Sequence, residues 1–127
     1  MEAVTAKKIL IIEDEEPLAR MLTIRLEANG YGVISATDGQ KGLNMAREEQ
    51  PDLVILDIML PTMNGYQILR ILKFDNRYKS IPIIVLTAKG LEQDKKLGQD
   101  LGADAYIAKP FDSDKLVEKI KEFLPEK

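Results

Sequence analysis

The sequence predicts an α/β domain: a five-stranded parallel sheet, doubly wound, flanked by five helices. Short apolar runs alternate five times with amphipathic segments along the chain. The runs are apolar on both faces, which is typical of parallel strands covered on both sides. Alternation of this kind implies right-handed crossovers, and 127 residues suit a single domain of ordinary size.

Five segments are predicted as strands because each is short, apolar and bounded by polar or turn-forming residues. In chain order they are Lys8–Ile12, Gly32–Ala36, Leu53–Asp57, Ile83–Thr87 and Ala105–Ala108. The first and third contain uninterrupted apolar runs, so we expect them at the centre of the sheet.

Five further segments are predicted as helices from apolar residues at helical spacing. In order they are Pro17–Ala28, Asp38–Glu49, Tyr66–Phe74, Leu91–Leu101 and Ser113–Leu124. Gly30 and Pro51 end the first two helices. In the first, Leu18, Met21, Leu22 and Leu26 are expected to face the core. A loop rich in Pro, Asn and Gly, Leu60–Gly65, precedes the third helix.

The composition excludes several kinds of chemistry. The chain has neither Cys nor His, which removes thiol nucleophiles, Ser-His-Asp triads and Cys- or His-ligated metals. Any metal site must therefore use oxygen ligands, which favour a hard cation such as magnesium or calcium.

Charge and hydropathy argue against nucleic acid and membrane partners. The net charge is −3, with 18 basic and 21 acidic residues and no basic block, so direct nucleic acid binding is not expected. Apolar runs such as Ile9–Ile12 are too short for a bilayer, and too short for a secretory signal after Lys8. We therefore expect a cytoplasmic protein.

Charged and polar residues collect where the predicted strands end. Glu13–Glu16 follow the first strand, Asp57 ends the third, Thr87 ends the fourth, and Lys109 follows the fifth, before Pro110. In a parallel sheet all these ends share one edge, where ligands bind. Carboxylates about 5 Å apart repel by roughly 3 kcal/mol at an effective dielectric of 20, so such a cluster favours a cation.

Each of these residues also has a purely structural interpretation. Asp14, Glu15 and Glu16 suit the cap and first turn of the first helix. Thr87 could cap the fourth helix, and Lys109 could be a solvated surface lysine. Glu13 and Asp57 are harder to explain in this way, because both directly follow apolar runs.

Four stretches in the order ILIIEDEEP, LVILDIMLPTMNG, PIIVLTA and GADAYIAKPF resemble the receiver domain of two-component response regulators, of the stand-alone chemotaxis type. The similarity covers Lys7 to Leu124. It implies a flavodoxin-like fold with strand order 2-1-3-4-5. It also implies that residues 1–127 form one receiver domain with its core near 7–124, and the chain's end after the last helix fits a stand-alone protein.

The resemblance assigns roles to individual positions. Asp57 resembles the phosphoryl acceptor. The metal ligands are implied to be Glu13, Asp14, Asp57 and the Met59 backbone carbonyl, holding Mg²⁺ with Mn²⁺ or Ca²⁺ as substitutes. Lys109 resembles the lysine that contacts the phosphate, and its bond to Pro110 is implied to be cis. Thr87 and Tyr106 resemble the hydroxyl and the aromatic residue that switch together.

The resemblance also implies a function. A histidine kinase or phosphotransfer protein would donate the phosphoryl group, and the surface of the fourth helix, fifth strand and last helix would signal to a downstream protein. The domain would not be an enzyme beyond its own phosphotransfer and autodephosphorylation. Glu13 is a departure, because the family usually has Asp there, and the extra methylene bears on metal affinity.

Three other functions compete with this one. A haloacid-dehalogenase-type phosphatase also uses an Asp after an apolar strand, but it has a second Asp two residues on, where this chain has Met59. A flavodoxin-like FMN binder needs Gly, Ser and Thr after the first strand, and Glu13–Glu16 would repel a phosphate there. A pseudo-receiver, which binds partners without phosphorylation, is supported by Glu13 alone.

Overall fold

The computed structural model describes residues 6–88, 96 and 99–125. Within them, five strands form one parallel sheet: β1 (Lys8–Ile12), β2 (Gly32–Ala36), β3 (Leu53–Asp57), β4 (Ile83–Ala88) and β5 (Ala105–Lys109). The first three strands match the predicted bounds. The last two are each one residue longer than predicted. Lys109 was expected to follow the fifth strand, but it is the last residue of β5.

The strands lie in the order β2-β1-β3-β4-β5, which confirms the predicted topology. β3 is central and pairs with β1 on one side and β4 on the other. The register places Ile12 beside Leu56, and Asp57 beside Leu86. Residues that follow β1 and end β3 are therefore neighbours at the carboxyl edge of the sheet.

Four complete helices are described: α1 (Glu16–Ala28), α2 (Gly39–Glu49), α3 (Gly65–Lys73) and a C-terminal helix (Ser113–Phe123). The predicted fourth helix, Leu91–Leu101, falls largely outside the described residues, although Lys96, Gln99 and Asp100 are helical. Within the described ranges, no helix has both the length and the apolar character needed to cross a bilayer.

Capping explains why α2 and α3 each start one residue from the predicted position. Asp38 lies outside α2 as its N-cap, and its side chain accepts from the Lys41 N–H at 2.8 Å. Asn64 and Gln67 form a reciprocal capping box, so α3 begins at Gly65. A cap residue has extended backbone geometry, which periodicity alone does not reveal.

The core has one layer on each face of the sheet. α2 and α3 cover one face, whose buried residues include Leu10, Leu43, Ala46, Leu56, Ile68 and Leu69. α1 and the C-terminal helix cover the other, with Ile9, Ile11, Leu22, Leu26, Leu116 and Ile120. Met21, predicted to face this core, is instead 42% exposed, because it lines a cleft at the carboxyl edge.

Candidate functional site

Asp57 lies at the centre of the carboxyl edge, as the last residue of the central strand β3. It is 4% exposed. Its Oδ1 accepts a hydrogen bond from the Met59 N–H at 3.1 Å, and its Oδ2 accepts one from Lys109 Nζ at 3.3 Å. A buried carboxylate is costly unless it has such partners, and here the Met59 N–H and the Lys109 ammonium supply them.

Glu13 is fully buried directly after β1. Its backbone N–H donates to the Ala36 carbonyl at 3.0 Å, which extends the pairing of β1 with β2. Its Oε1 forms an ion pair with Lys109 Nζ at 2.8 Å, and its Oε2 accepts from the Glu15 N–H at 3.1 Å. The longer side chain thus reaches the lysine more closely than Asp57 does.

The site perturbs the pKa values of this pair. Burial raises the pKa of Glu13 to about 7, although the hydrogen bonds from Lys109 and the Glu15 N–H lower it. Burial would lower the pKa of Lys109, but the hydrogen bond to Glu13 and the charges of Asp57 and Glu13 raise it above the usual value. The lysine therefore stays charged at neutral pH.

Three carboxylates meet at this edge. Glu13, Asp14 and Asp57 each offer an oxygen, and these oxygens lie within 4.8 Å of one another. Asp14 is exposed, whereas the other two are buried. Oxygen-only donors at this spacing fit a hard divalent cation such as Mg²⁺, which usually keeps several waters and takes one or two carboxylates.

The cleft beside the carboxylates has a volume of about 690 Å³ and a mixed lining. Its polar side is formed by residues that were predicted for the site, namely Asp14, Asp57 and Lys109. Met59, whose backbone carbonyl was predicted as a metal ligand, also lines it. The apolar side comes from residues that the sequence analysis did not assign to the site: Leu18, Met21, Pro110 and Phe111. Phe111 follows Lys109 by two residues, at the end of the GADAYIAKPF stretch, and this proximity was the available signal.

Two buried hydroxyls lie on the strands β4 and β5. Thr87 in β4 is 8% exposed, and Tyr106 in β5 pairs with Val85. Among the residues that the structure describes, neither Thr87 Oγ1 nor Tyr106 Oη has a hydrogen-bond partner. Burial, followed by the charges of Asp100 and Asp104, raises the pKa of Tyr106 to about 12. A buried hydroxyl usually has a hydrogen-bond partner, which can be a water, a ligand or another part of the chain.

The structural interpretations have different outcomes for different residues. Glu15 occupies the N-cap of α1, although without a side-chain capping bond, and Glu16 lies in the first turn of the helix, as that interpretation predicted. Lys109 is not a solvated lysine, because its side chain is 24% exposed and contacts two carboxylates. Its bond to Pro110 is cis, as the resemblance implied.

The geometry defines a class of protein: a doubly wound, flavodoxin-like domain with an acidic cluster at the carboxyl edge of its central strands. Ligands bind at this place in open α/β sheets. The acidic cluster, the paired lysine and the buried hydroxyls distinguish it from a nucleotide-binding domain, which presents backbone N–H groups to a phosphate there.

The sequence model of the response regulator receiver domain family matches residues 9–121. The chain therefore belongs to this family. It is 43% identical over 118 residues to the alkaline phosphatase synthesis transcriptional regulatory protein PhoP of Bacillus subtilis, covering 93% of this chain and 48% of that protein. The chain spans about half the length of the curated relatives it matches.

Solved structures agree with this assignment. The chemotaxis response regulator CheY4 of Vibrio cholerae superposes with a TM-score of 0.87 at 28% identity, covering 94% of this chain and 99% of that one. The receiver domain of the sensor histidine kinase PA1611 from Pseudomonas aeruginosa has a TM-score of 0.86 at 27% identity, covering 96% and 100%. That structure has a magnesium ion coordinated in its active site cleft.

Proposed function

We propose that Asp57 accepts a phosphoryl group from a histidine kinase or phosphotransfer protein, and that the modified domain then signals to a downstream protein. Membership of the receiver family supports a phospho-acceptor role. The observation that carries the residue assignment is the position of Lys109, whose ammonium lies 3.3 Å from Asp57 Oδ2 and 2.8 Å from Glu13 Oε1. A fixed cation beside a buried carboxylate suits transfer of an anionic group.

The chemistry follows from these charges. A carboxylate oxygen of Asp57 forms a bond to phosphorus while the bond from phosphorus to the donor's histidine nitrogen breaks, giving an aspartyl phosphate. Phosphoryl transfer depends mainly on positioning and on neutralising the three peripheral oxygens. Lys109 is placed to neutralise one of them, and the Met59 N–H orients the acceptor through its bond to Oδ1.

The acidic residues fit Mg²⁺, with Mn²⁺ or Ca²⁺ as substitutes. Asp14 and Asp57, supported by Glu13 and the Met59 carbonyl, would hold the ion, and the magnesium in the PA1611 receiver cleft supports this assignment. When bound, the ion supplies positive charge to the phosphoryl oxygens. Without a bound cation, the negative charge of the three carboxylates would repel an anionic phosphoryl group.

Thr87 and Tyr106 would carry the signal away from the site. Thr87 Oγ1 is buried and lacks a partner among the described atoms, so it is free to donate to a phosphoryl oxygen. Movement of Thr87 would vacate space that the Tyr106 ring could fill. This would couple Asp57 to β5, and through it to the output surface that the resemblance assigns to the predicted fourth helix, β5 and the C-terminal helix.

The remaining expectations concern the surroundings of the domain. We propose a cytoplasmic location, no membrane partner and no direct contact of this domain with nucleic acid. Its only catalysis would be its own phosphotransfer and autodephosphorylation. The relative from Bacillus is a transcriptional regulator about twice as long, so any activity of a longer protein would depend on further sequence.

Intact mass measurement after incubation with acetyl phosphate and Mg²⁺ tests the proposal. We expect one added phosphoryl group, lost when the metal is chelated and absent in Asp57→Asn. Asp52→Asn is a matched control, because Asp52 lies at the opposite edge of the sheet and accepts from the Lys8 N–H. An unmodified wild-type chain would favour a pseudo-receiver.

A second assay separates the proposal from the phosphatase alternative. The purified domain is mixed with an excess of a phosphomonoester such as p-nitrophenyl phosphate. We expect no release of phosphate above a blank without protein, because the proposed donors are a phosphohistidine and an acyl phosphate and not a phosphomonoester. Release of many equivalents, lost in Asp57→Asn, would identify a phosphatase. The FMN-binding alternative would show itself as a yellow protein on purification.

A further inference from the structure

The loop between Asp57 and α3, residues 58–64 and here called the acceptor loop, is held at both of its ends. At its start, the Met59 N–H donates to Asp57 Oδ1. At its end, the Gly65 N–H donates to the Ile58 carbonyl at 3.0 Å, and a Cβ on Gly65 would lie 2.5 Å from the Asp57 carbonyl oxygen. These contacts close the loop on itself but do not fix where its outer part lies.

The outer part of the acceptor loop is held in position by its contact with α2. A Cβ on Gly39, the first residue of α2, would lie 2.4 Å from the Met63 carbonyl oxygen and 2.9 Å from Met63 Cβ. Real Cβ atoms do not approach backbone so closely, since a gap this small is deep within van der Waals repulsion. The absence of a side chain at Gly39 therefore lets the acceptor loop pack directly against the backbone of α2.

The two partners in this contact differ in how firmly they are held. α2 is capped by Asp38 and buries Leu43 and Ala46, and a Cβ on Gly42 would lie 2.7 Å from the Ile12 side chain. The helix thus has no room to move toward the sheet. The acceptor loop, by contrast, exposes Met59 and Thr62. Any added bulk at Gly39 would displace the loop and leave the helix in place.

We infer that Gly39 is a positioning residue for Asp57, acting through Met63 and the acceptor loop on the Met59 N–H. Gly39 itself does not line the cleft. The consequence for phosphorylation and metal binding depends on the proposed function, whereas the effect on the Met59–Asp57 hydrogen bond does not. A displaced loop would weaken that bond and shift the Met59 backbone, which also carries a proposed metal ligand.

The test is Gly39→Ala, examined first without metal. We expect hydrogen exchange of the Met59 amide to be faster by about tenfold, because its bond to Asp57 is loosened. In titration calorimetry we expect Mg²⁺ to bind about tenfold more weakly, as is usual when a group supporting a ligand is disturbed. Phosphorylation by acetyl phosphate should slow by a similar factor.

Three variants act as controls. Gly32→Ala makes the same change where the nearest atom to the new Cβ is the Lys7 carbonyl oxygen at 3.9 Å, and it should leave all three measurements unchanged. Ala46→Gly weakens α2 without touching the loop, so it should lower the melting temperature alone. Met63→Gly removes the contact from the other side and should speed Met59 exchange even if Gly39→Ala does not fold.

The double variant Gly39→Ala/Met63→Gly tests the route of the effect. Removal of Met63 Cβ relieves one clash and lets the carbonyl turn, so Met59 exchange and Mg²⁺ affinity should recover in part relative to Gly39→Ala. Wild-type exchange of Met59 in Gly39→Ala would overturn the inference, and so would an equal effect from Ala46→Gly. If wild-type protein takes neither Mg²⁺ nor phosphoryl, the proposed function fails, and the exchange data still decide the role of Gly39.

Discussion

Two lysines, one at each edge of the sheet, show how differently the same side chain is used. At the amino edge, Lys73 Nζ contacts Asp104 Oδ2 at 2.7 Å and the carbonyls of Ile81 and Lys79 at 2.8 and 3.1 Å. Asp104 in turn accepts from the Ile83 N–H at 2.7 Å. One ammonium meets one carboxylate there, and the remaining donors meet backbone oxygens.

The carboxyl edge lacks this balance. Among the described residues, Lys109 is the ammonium that contacts the cluster, and it faces Glu13 and Asp57 with Asp14 nearby. Thr87 Oγ1, buried in the neighbouring strand β4, has no hydrogen-bond partner in the described part of the chain. At the amino edge the charges of Lys73 and Asp104 balance, which favours stability. At the carboxyl edge three carboxylates share one ammonium, and this excess of negative charge is typical of a functional site.

The largest expected effect is that of Lys109→Met on phosphorylation. We expect the rate with acetyl phosphate to fall about 10²-fold, because a charge that stabilises the transferred group is lost. The unfolding free energy should change by less than about 1 kcal/mol, since Glu13 can take up a proton once the lysine is gone. A large loss of melting temperature with intact phosphorylation would show that Lys109 serves stability, as Lys73 does, and would contradict the prediction.

Lys73→Met should give the opposite pattern. We expect the unfolding free energy to fall by about 2 kcal/mol, less than for a fully buried pair because Asp104 is 31% exposed at its side chain. Phosphorylation should stay within about twofold of wild type, because the change lies at the far edge of the sheet. Denaturant unfolding measures the first effect and the acetyl phosphate assay the second.

The pH dependence of stability sharpens the comparison further. Because the pKa of Glu13 is about 7 in the folded protein, against an ordinary value of 4.5, the folded state binds more protons between these limits. Its contribution to stability is therefore complete below pH 4.5 and is lost as the pH rises through 7, by about 3 kcal/mol. Denaturant unfolding in metal-free buffer checks this, and Glu13→Gln should flatten the curve. An unchanged curve in Glu13→Gln would assign the dependence to another group.

The smallest effect concerns Thr62 in the acceptor loop, which has a φ of 61°. A β-branched residue is strained in this left-handed region, so Thr62→Gly should raise stability by about 0.5 kcal/mol despite the entropy cost of glycine. Thr37→Gly is the matched control, because Thr37 is exposed and does not have positive φ. It should lower stability slightly. If thermal melts show Thr62→Gly to be less stable than Thr37→Gly, the backbone at Thr62 is not strained.

The sequence predicted the strands and the residues of the site because both depend on local pattern. Continuous apolar runs define β1 and β3, and parallel strands bring their carboxyl ends together whatever lies between. For this reason Glu13, Asp57 and Lys109 could be expected at one edge from the order of residues alone. The resemblance to receiver domains added the strand order and the individual roles.

The remaining features depend on distances that no local pattern encodes. The Lys73–Asp104 pair joins residues far apart in sequence, and the contact of Gly39 with Met63 requires the helix and loop to be packed. The exposure of Met21 shows the same limit, because helical spacing identifies a face but not where the core ends and the cleft begins.

The place of β5 in the sheet has a consequence for how the site can respond. β3 is bonded to a strand on each side, whereas β5 lies at the border and is bonded to β4 alone. A displacement of β5 strains one ladder, whereas a displacement of β3 strains the ladders to both β1 and β4. We therefore expect β5 to shift more readily than β3, so that Lys109 would move toward a phosphoryl group on Asp57 if the proposed function holds.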